Sequence, residues 1–193
     1  MRERIAAAAA RIMAEDGIDD FALAKRKAAR SLGAAETEAL PANDEIEAEL
    51  RAYLALYQAE EHPQRVAELR EIALDAMRAL ERFHPYLTGP VLKGTAGPYA
   101  DIDLQLFPES AKDVELFLLE RNIAFETQET RRYSGDRVHA VSAFTLAWQD
   151  HPLRLSVFDP RDERVALKTS QAGRVMRRAG IAELATLLRD AAA

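Results

Sequence analysis

Apolar positions along this chain recur every three to four residues up to about residue 83, and every second residue after Pro85. The first spacing is that of a helix with one buried stripe, the second that of a strand with one buried face. Four helices are predicted in the first part. Residues 2–16 form one, closed by Gly17. Residues 20–32 form a second, with Gly33 as its C-cap. The stretch 34–43 contains Pro41 and reads as a loop. Asn43 or Asp44 caps a third helix over 45–60, with Ile46, Leu50, Tyr53, Leu54 and Tyr57 on one side. A fourth covers 63–83, striped by Val66, Leu69, Ile72, Ala73, Met77 and Leu80.

Beyond Pro85 the pattern predicts a strand over Tyr86–Lys93 and a second over Ala100–Phe107. A helix over 110–121 follows, with Ser110 as N-cap. Three strands come next, at 123–132, 138–148 and 152–158. Turns at Ser134-Gly135-Asp136 and Gln149-Asp150 join them, and a last helix spans 179–191. The fold class is α+β: a mixed or antiparallel sheet of about five strands with helices on one face, behind a helical segment. The boundary falls between residues 84 and 85, giving 1–84 as helical segment and 85–193 as α+β domain.

Composition narrows the function classes. The 193 residues carry a net charge of −6, which argues against a broad nucleic-acid surface but leaves room for a local basic patch. There is no cysteine, which excludes disulfides and thiolate zinc sites and agrees with a cytoplasmic setting. No apolar run approaches the length of a membrane span. Arg2-Glu3-Arg4 with Ile5 to Ala10 faintly imitates a leader, but Arg11, Glu15 and Asp16 break it.

The most informative stretch is 93–107, where Gly94-Thr95 makes a small-residue turn and Asp101-Ile102-Asp103 lies on the strand that follows. Residues two apart on a strand share a face, about 6–7 Å apart. Asp101 and Asp103 therefore stand side by side while Ile102, Leu104 and Leu106 face the core. Two adjacent carboxylates repel. A divalent cation removes that cost, and oxygen ligands suit Mg²⁺ or Mn²⁺. A turn whose amides hold phosphate, beside such a pair, is equipment for phosphoryl or nucleotidyl transfer.

The Gly94-Thr95…Asp101-Ile102-Asp103 arrangement, over roughly residues 85–160, resembles the signature of the nucleotidyltransferase superfamily, the DNA polymerase β-like fold. The resemblance implies attack on the α-phosphorus of a nucleoside triphosphate, with ATP the expected donor. The acceptor would be a protein, a tRNA or a small molecule. Asp101 and Asp103 would hold the metal, Lys93 would steady phosphate, and Gly94 and Thr95 would cradle it. The resemblance also implies a third carboxylate on a later strand. On Leu153–Phe158 the positions facing the site are Arg154 and Ser156, which suit phosphate binding or a salt bridge instead. The alternative is therefore a catalytically inactive member that binds a nucleotide or a partner.

Over most of its length the chain also resembles bacterial proteins sharing residues 24–30, 89–97, 111–115 and 177–180, some of them labelled UDP-N-acetylmuramate–alanine ligase. A working ligase loop would continue with Lys and Ser or Thr, whereas Pro98 and Tyr99 follow Gly97.

Other signals weigh less. Lys25, Arg26, Lys27 and Arg30 form a basic cluster read mainly as a solvated helix face, with RNA contact as the minor reading. The acidic run after Asn43 disfavours DNA. Arg131, Arg132, Arg137, Arg154, Lys168, Arg174, Arg177 and Arg178 crowd the second half, ready to offset a polyanion. His62, His84, His139 and His151 lack metal-ligand spacing and read as structural.

Overall fold

In the computed structural model the described residues are all but 19, 36–38, 135–136, 167, 169–174 and 193, with backbone alone at 132–134, 137, 139 and 192. The turn expected at Gly135 and Asp136 and the cation Arg174 lie outside the described residues, as do the side chains of Arg132, Arg137 and His139. By spatial contact the chain divides into two units, Met1–Val66 with Gly94–Ala100, and Ala67–Lys93 with Asp101–Ala193.

The first unit is helical: α1 (Arg2–Asp16), α2 (Phe21–Ser31), α3 (Asn43–Tyr57) and the start of α4 (Glu61–Ala79). Each boundary has a local cause. Gly17 takes the left-handed conformation that ends α1 (φ 66°), and Asp20 accepts from the Ala22 and Leu23 amides to begin α2. Ala42, rather than the expected Asn43 or Asp44, is the N-cap of α3. Its amide donates to the Glu45 carboxylate at 2.6 Å, so the side chain three residues on does the capping. The core is alanine-rich, with Ile5, Ala9 and Met13 of α1 against Ala24 and Ala28 of α2 and Ile46, Leu50 and Leu54 of α3. Outer polar links tie the same helices. Arg2 forks onto Glu45, Tyr53 donates to Glu15 at 2.6 Å, and Lys27 of the basic cluster pairs with Asp16.

The second unit holds a five-stranded mixed sheet in the order β1 (Tyr86–Thr88), β2 (Ile102–Leu106), β5 (His151–Val157), β4 (Arg137–Trp148), β3 (Phe125–Ser134). Only β2 and β5 run parallel; the other pairs are antiparallel. The rest of α4, a short α5 (Gly89–Lys93), α6 (Ala111–Glu120) and α7 (Ile181–Ala192) complete it. Ser110 caps α6 as expected. No helix among the described residues is long and apolar enough to cross a membrane.

The strand expected over Tyr86–Lys93 is corrected. It stops at Thr88, and Gly89-Pro90 start the single-turn helix α5. Gly89 has a left-handed φ of 76°, which breaks the strand, and proline at a first helical position loses no hydrogen bond.

Strand pairing sets which residues share a face. Leu87, Leu104, Leu155 and Phe144 lie in one row across the sheet, and Ile102, Leu153, Leu146 and Phe125 in another. Every one of these except Phe125 is buried. The opposite face carries Thr88, Asp103, Arg154 and Thr145 in one row, and Tyr86, Gln105, Ser156 and Ala143 in the next.

Candidate functional site

The opposite face is where the chemistry collects. Asp103 and Arg154 are register partners on the parallel pair β2–β5. Arg154 Nε lies 2.9 Å from Asp103 Oδ1, an ion pair whose N–H direction does not make a directed hydrogen bond. Its Nη2 donates to Asp101 Oδ2 at 3.1 Å. One guanidinium thus bridges both carboxylates. The side chains keep 37%, 24% and 38% of their surface for Asp101, Asp103 and Arg154, so water screens the bridge.

Arg154 meets one of the two carboxylate charges, and a divalent cation seated between the aspartates would be repelled by that guanidinium unless the side chain turned away. Among the described residues no group of three or more His, Asp or Glu side chains stands ready to hold a metal ion. Ser156, the other residue expected at the site, is buried one row farther along beside Gln105.

The turn lying against Asp103 in this unit is Gly89, a residue that sequence reasoning did not single out. A Cβ built on Gly89 would come within 2.8 Å of Asp103 Oδ2, so a larger residue there would displace the carboxylate, and the left-handed φ of 76° favours glycine as well. Lys93 closes α5, half-buried. Arg70 donates to the carbonyls of Val91 and Leu92 at 3.0 and 2.8 Å and so caps the end of that helix. A strand leading into Gly-Pro was the available sequence signal for Gly89.

Gly94 and Thr95 belong to the first unit. Thr95 and Ala96 are buried, and His62 Nε2 sits 3.1 Å from the Ala96 carbonyl. Burial holds the His62 imidazole below its ordinary pKa, against the opposing pull of that carbonyl. In this turn Thr95 and Ala96 are buried while Gly94 is half-buried.

The polar face of the sheet continues toward a small aromatic cluster of Phe107, Phe158, Val141 and Tyr86. Arg178 stacks over the Tyr86 ring at 4.7 Å and the Phe107 ring at 5.3 Å, and donates to the Glu163 carbonyl. The Glu163 carboxylate accepts from Tyr86 Oη at 2.8 Å and meets His84 Nδ1 at 3.2 Å. Burial pushes the Glu163 carboxyl up, but these two hydrogen bonds together with the positive charges of His84 and Arg178 outweigh it and hold the group below its usual range. Burial, then the same carboxylate, push the Tyr86 phenol up. The segment around 175–179 crosses this face. Leu87 and Ala179 exchange both backbone hydrogen bonds, and Thr88 Oγ1 donates to the Arg177 carbonyl at 2.9 Å.

No protein-family model, curated protein or solved structure matches the chain.

Proposed function

We propose that this chain is a nucleotide-binding protein on a nucleotidyltransferase-like sheet whose carboxylate pair is bridged by its own arginine, so that it binds without transferring. The observation that carries the reading is Arg154, 2.9 Å from Asp103 and 3.1 Å from Asp101. In a metal-dependent transferase that pair would share a divalent cation, which supplies Lewis acidity and charge neutralisation. Here one of the two charges is met by a guanidinium, which cannot polarise an attacking oxygen as a metal does. Asp103 on the face of β2 with Asp101 just before the strand, the glycine turn beneath Asp103 and the cations Arg164 and Arg178 farther along support the nucleotide part of the reading.

The test pairs binding with turnover. Calorimetry with ATP is expected to give saturable binding that survives Asp103→Ala. Incubation with α-labelled ATP and Mg²⁺ or Mn²⁺ is expected to label no protein, tRNA or small-molecule acceptor. Label transfer by the wild type that Asp103→Ala abolishes overturns the proposal.

The exposure of the bridge favours a second reading, a working metal-dependent transferase. A pair this open contributes about 0–1 kcal/mol. An arriving metal–nucleotide complex would then displace Arg154, which would turn to the phosphates. The same labelling experiment decides between the two.

A further inference from the structure

The row next to the ion pair holds a feature that neither reading uses. Gln105 sits mid-strand on β2, two residues past Asp103 and on the same face, and is 1% exposed. A buried carboxamide ordinarily uses its acceptor and its two donors. Among the described residues Gln105 Nε2 reaches the Met176 thioether at 3.8 Å, a weak acceptor. Its Oε1 is buried and meets no donor among the described residues. An unmet buried acceptor destabilises the fold, where a leucine would cost nothing of the kind.

Gln105 lines a cavity of about 200 Å³ together with Val165, Val175 and Met176 and the cations Arg164 and Arg178. Pockets for whole drug-sized ligands run to about 300–1,000 Å³, so this one suits a single ring system. Its walls are aliphatic and thioether, its inner end is a carboxamide, and it carries positive charge. Arg178 is already committed to the Glu163 carbonyl and the aromatic cluster, whereas Arg164 is exposed.

We propose that this cavity receives the base of an adenine nucleotide. It rests on the nucleotide-binding reading above and adds the subsite that would choose the nucleotide. A carboxamide presents an acceptor beside a donor; its complement is an N–H beside a ring nitrogen, the pairing Gln makes with adenine N6 and N7. The ring lies against Met176 and Val165, and the phosphates point to Arg164. Along β2 the step from Gln105 to Asp103 is about 6–7 Å, so a nucleotide seated by its base keeps its phosphates within reach of the charged row.

The experiment uses the full chain and four probes: ATP, GTP, N6,N6-dimethyl-ATP, which lacks the N–H, and inorganic tripolyphosphate. The wild type is expected to bind ATP at least tenfold tighter than each of the other three. Gln105→Leu is expected to bind ATP no better than tripolyphosphate while melting at or above the wild-type temperature. If that variant fails to fold, Met176→Phe closes the cavity from the opposite wall, and the same loss is expected. Equal binding of ATP and its dimethyl analogue, or unchanged ATP affinity in a folded Gln105→Leu or Met176→Phe protein, overturns the base subsite alone. Absence of binding to ATP and tripolyphosphate alike overturns the nucleotide reading with it.

Discussion

Two neighbouring rows on one face of the sheet make opposite uses of polar side chains. The row Thr88–Asp103–Arg154–Thr145 is charged, partly open to water, and balanced within itself. The row Tyr86–Gln105–Ser156–Ala143 carries no formal charge, yet it buries a carboxamide whose oxygen has no donor among the described residues. The groups that look reactive in a sequence are here paired by charge, with Arg154 Nε lacking only a directed hydrogen bond, whereas Gln105 Oε1 has neither a donor nor a counter-charge among the described residues. Burial decides this, because an ion pair in water is screened while a lone acceptor in the interior is not.

The largest expected effect breaks the charged row from beneath. Gly89→Ala forces a Cβ against Asp103 and an unfavourable left-handed φ, and is expected to cost about 3 kcal/mol in urea unfolding. A cost below about 1 kcal/mol would mean that Asp103 does not rest on that turn.

Gln105→Leu tests the other row. Removing the unmet acceptor is expected to raise stability by about 1–2 kcal/mol, read in the same titration. A loss of that size would show that the carboxamide is satisfied in solution.

Arg154→Met unmasks the carboxylates. In the absence of added metal the cost is expected to be on the order of 1 kcal/mol, given the exposure of the bridge. Millimolar Mg²⁺ is then expected to raise the melting temperature of the variant and leave the wild type unmoved. Equal shifts in both would show that the guanidinium does not compete with a metal.

The smallest effect leaves both rows alone and serves as a control. His62, with its folded pKa below the ordinary 6.5, favours the neutral ring in the native state. The unfolded chain then binds more protons in the window below 6.5. The stability of the native state is therefore fully present above that pH and declines as pH falls toward the folded value. His62→Gln is expected to flatten the melting-temperature profile between pH 7 and 5.5, and an unchanged slope would remove His62 from the account.

The parts of the fold legible in the sequence are those set by local periodicity. The shared face of Asp103 with Arg154 and Ser156 on their strands followed from alternation, and the Ser110 cap from its residue type, whereas β2 starts at Ile102 and leaves Asp101 just before it. What stayed hidden depends on pairing at a distance. Arg154 meets Asp103 only because β5 joins β2 in parallel, after a helix and two strands have intervened. Gln105 reads as one more polar residue on an alternating strand until the 175–178 segment is laid across it. The two glycine turns show the same limit. Gly89 and Gly94 have nearly the same φ, 76° and 74°, so neighbours and not conformation tell them apart.

The Leu87–Ala179 backbone exchange has a consequence for assembly. A three-residue border strand would otherwise show a bare amide and carbonyl to any passing chain. The stretch entering α7 occupies those groups, so it acts as a guard on that rim. A protein shortened to end before Ala179 would be liable to zip onto copies of itself along β1.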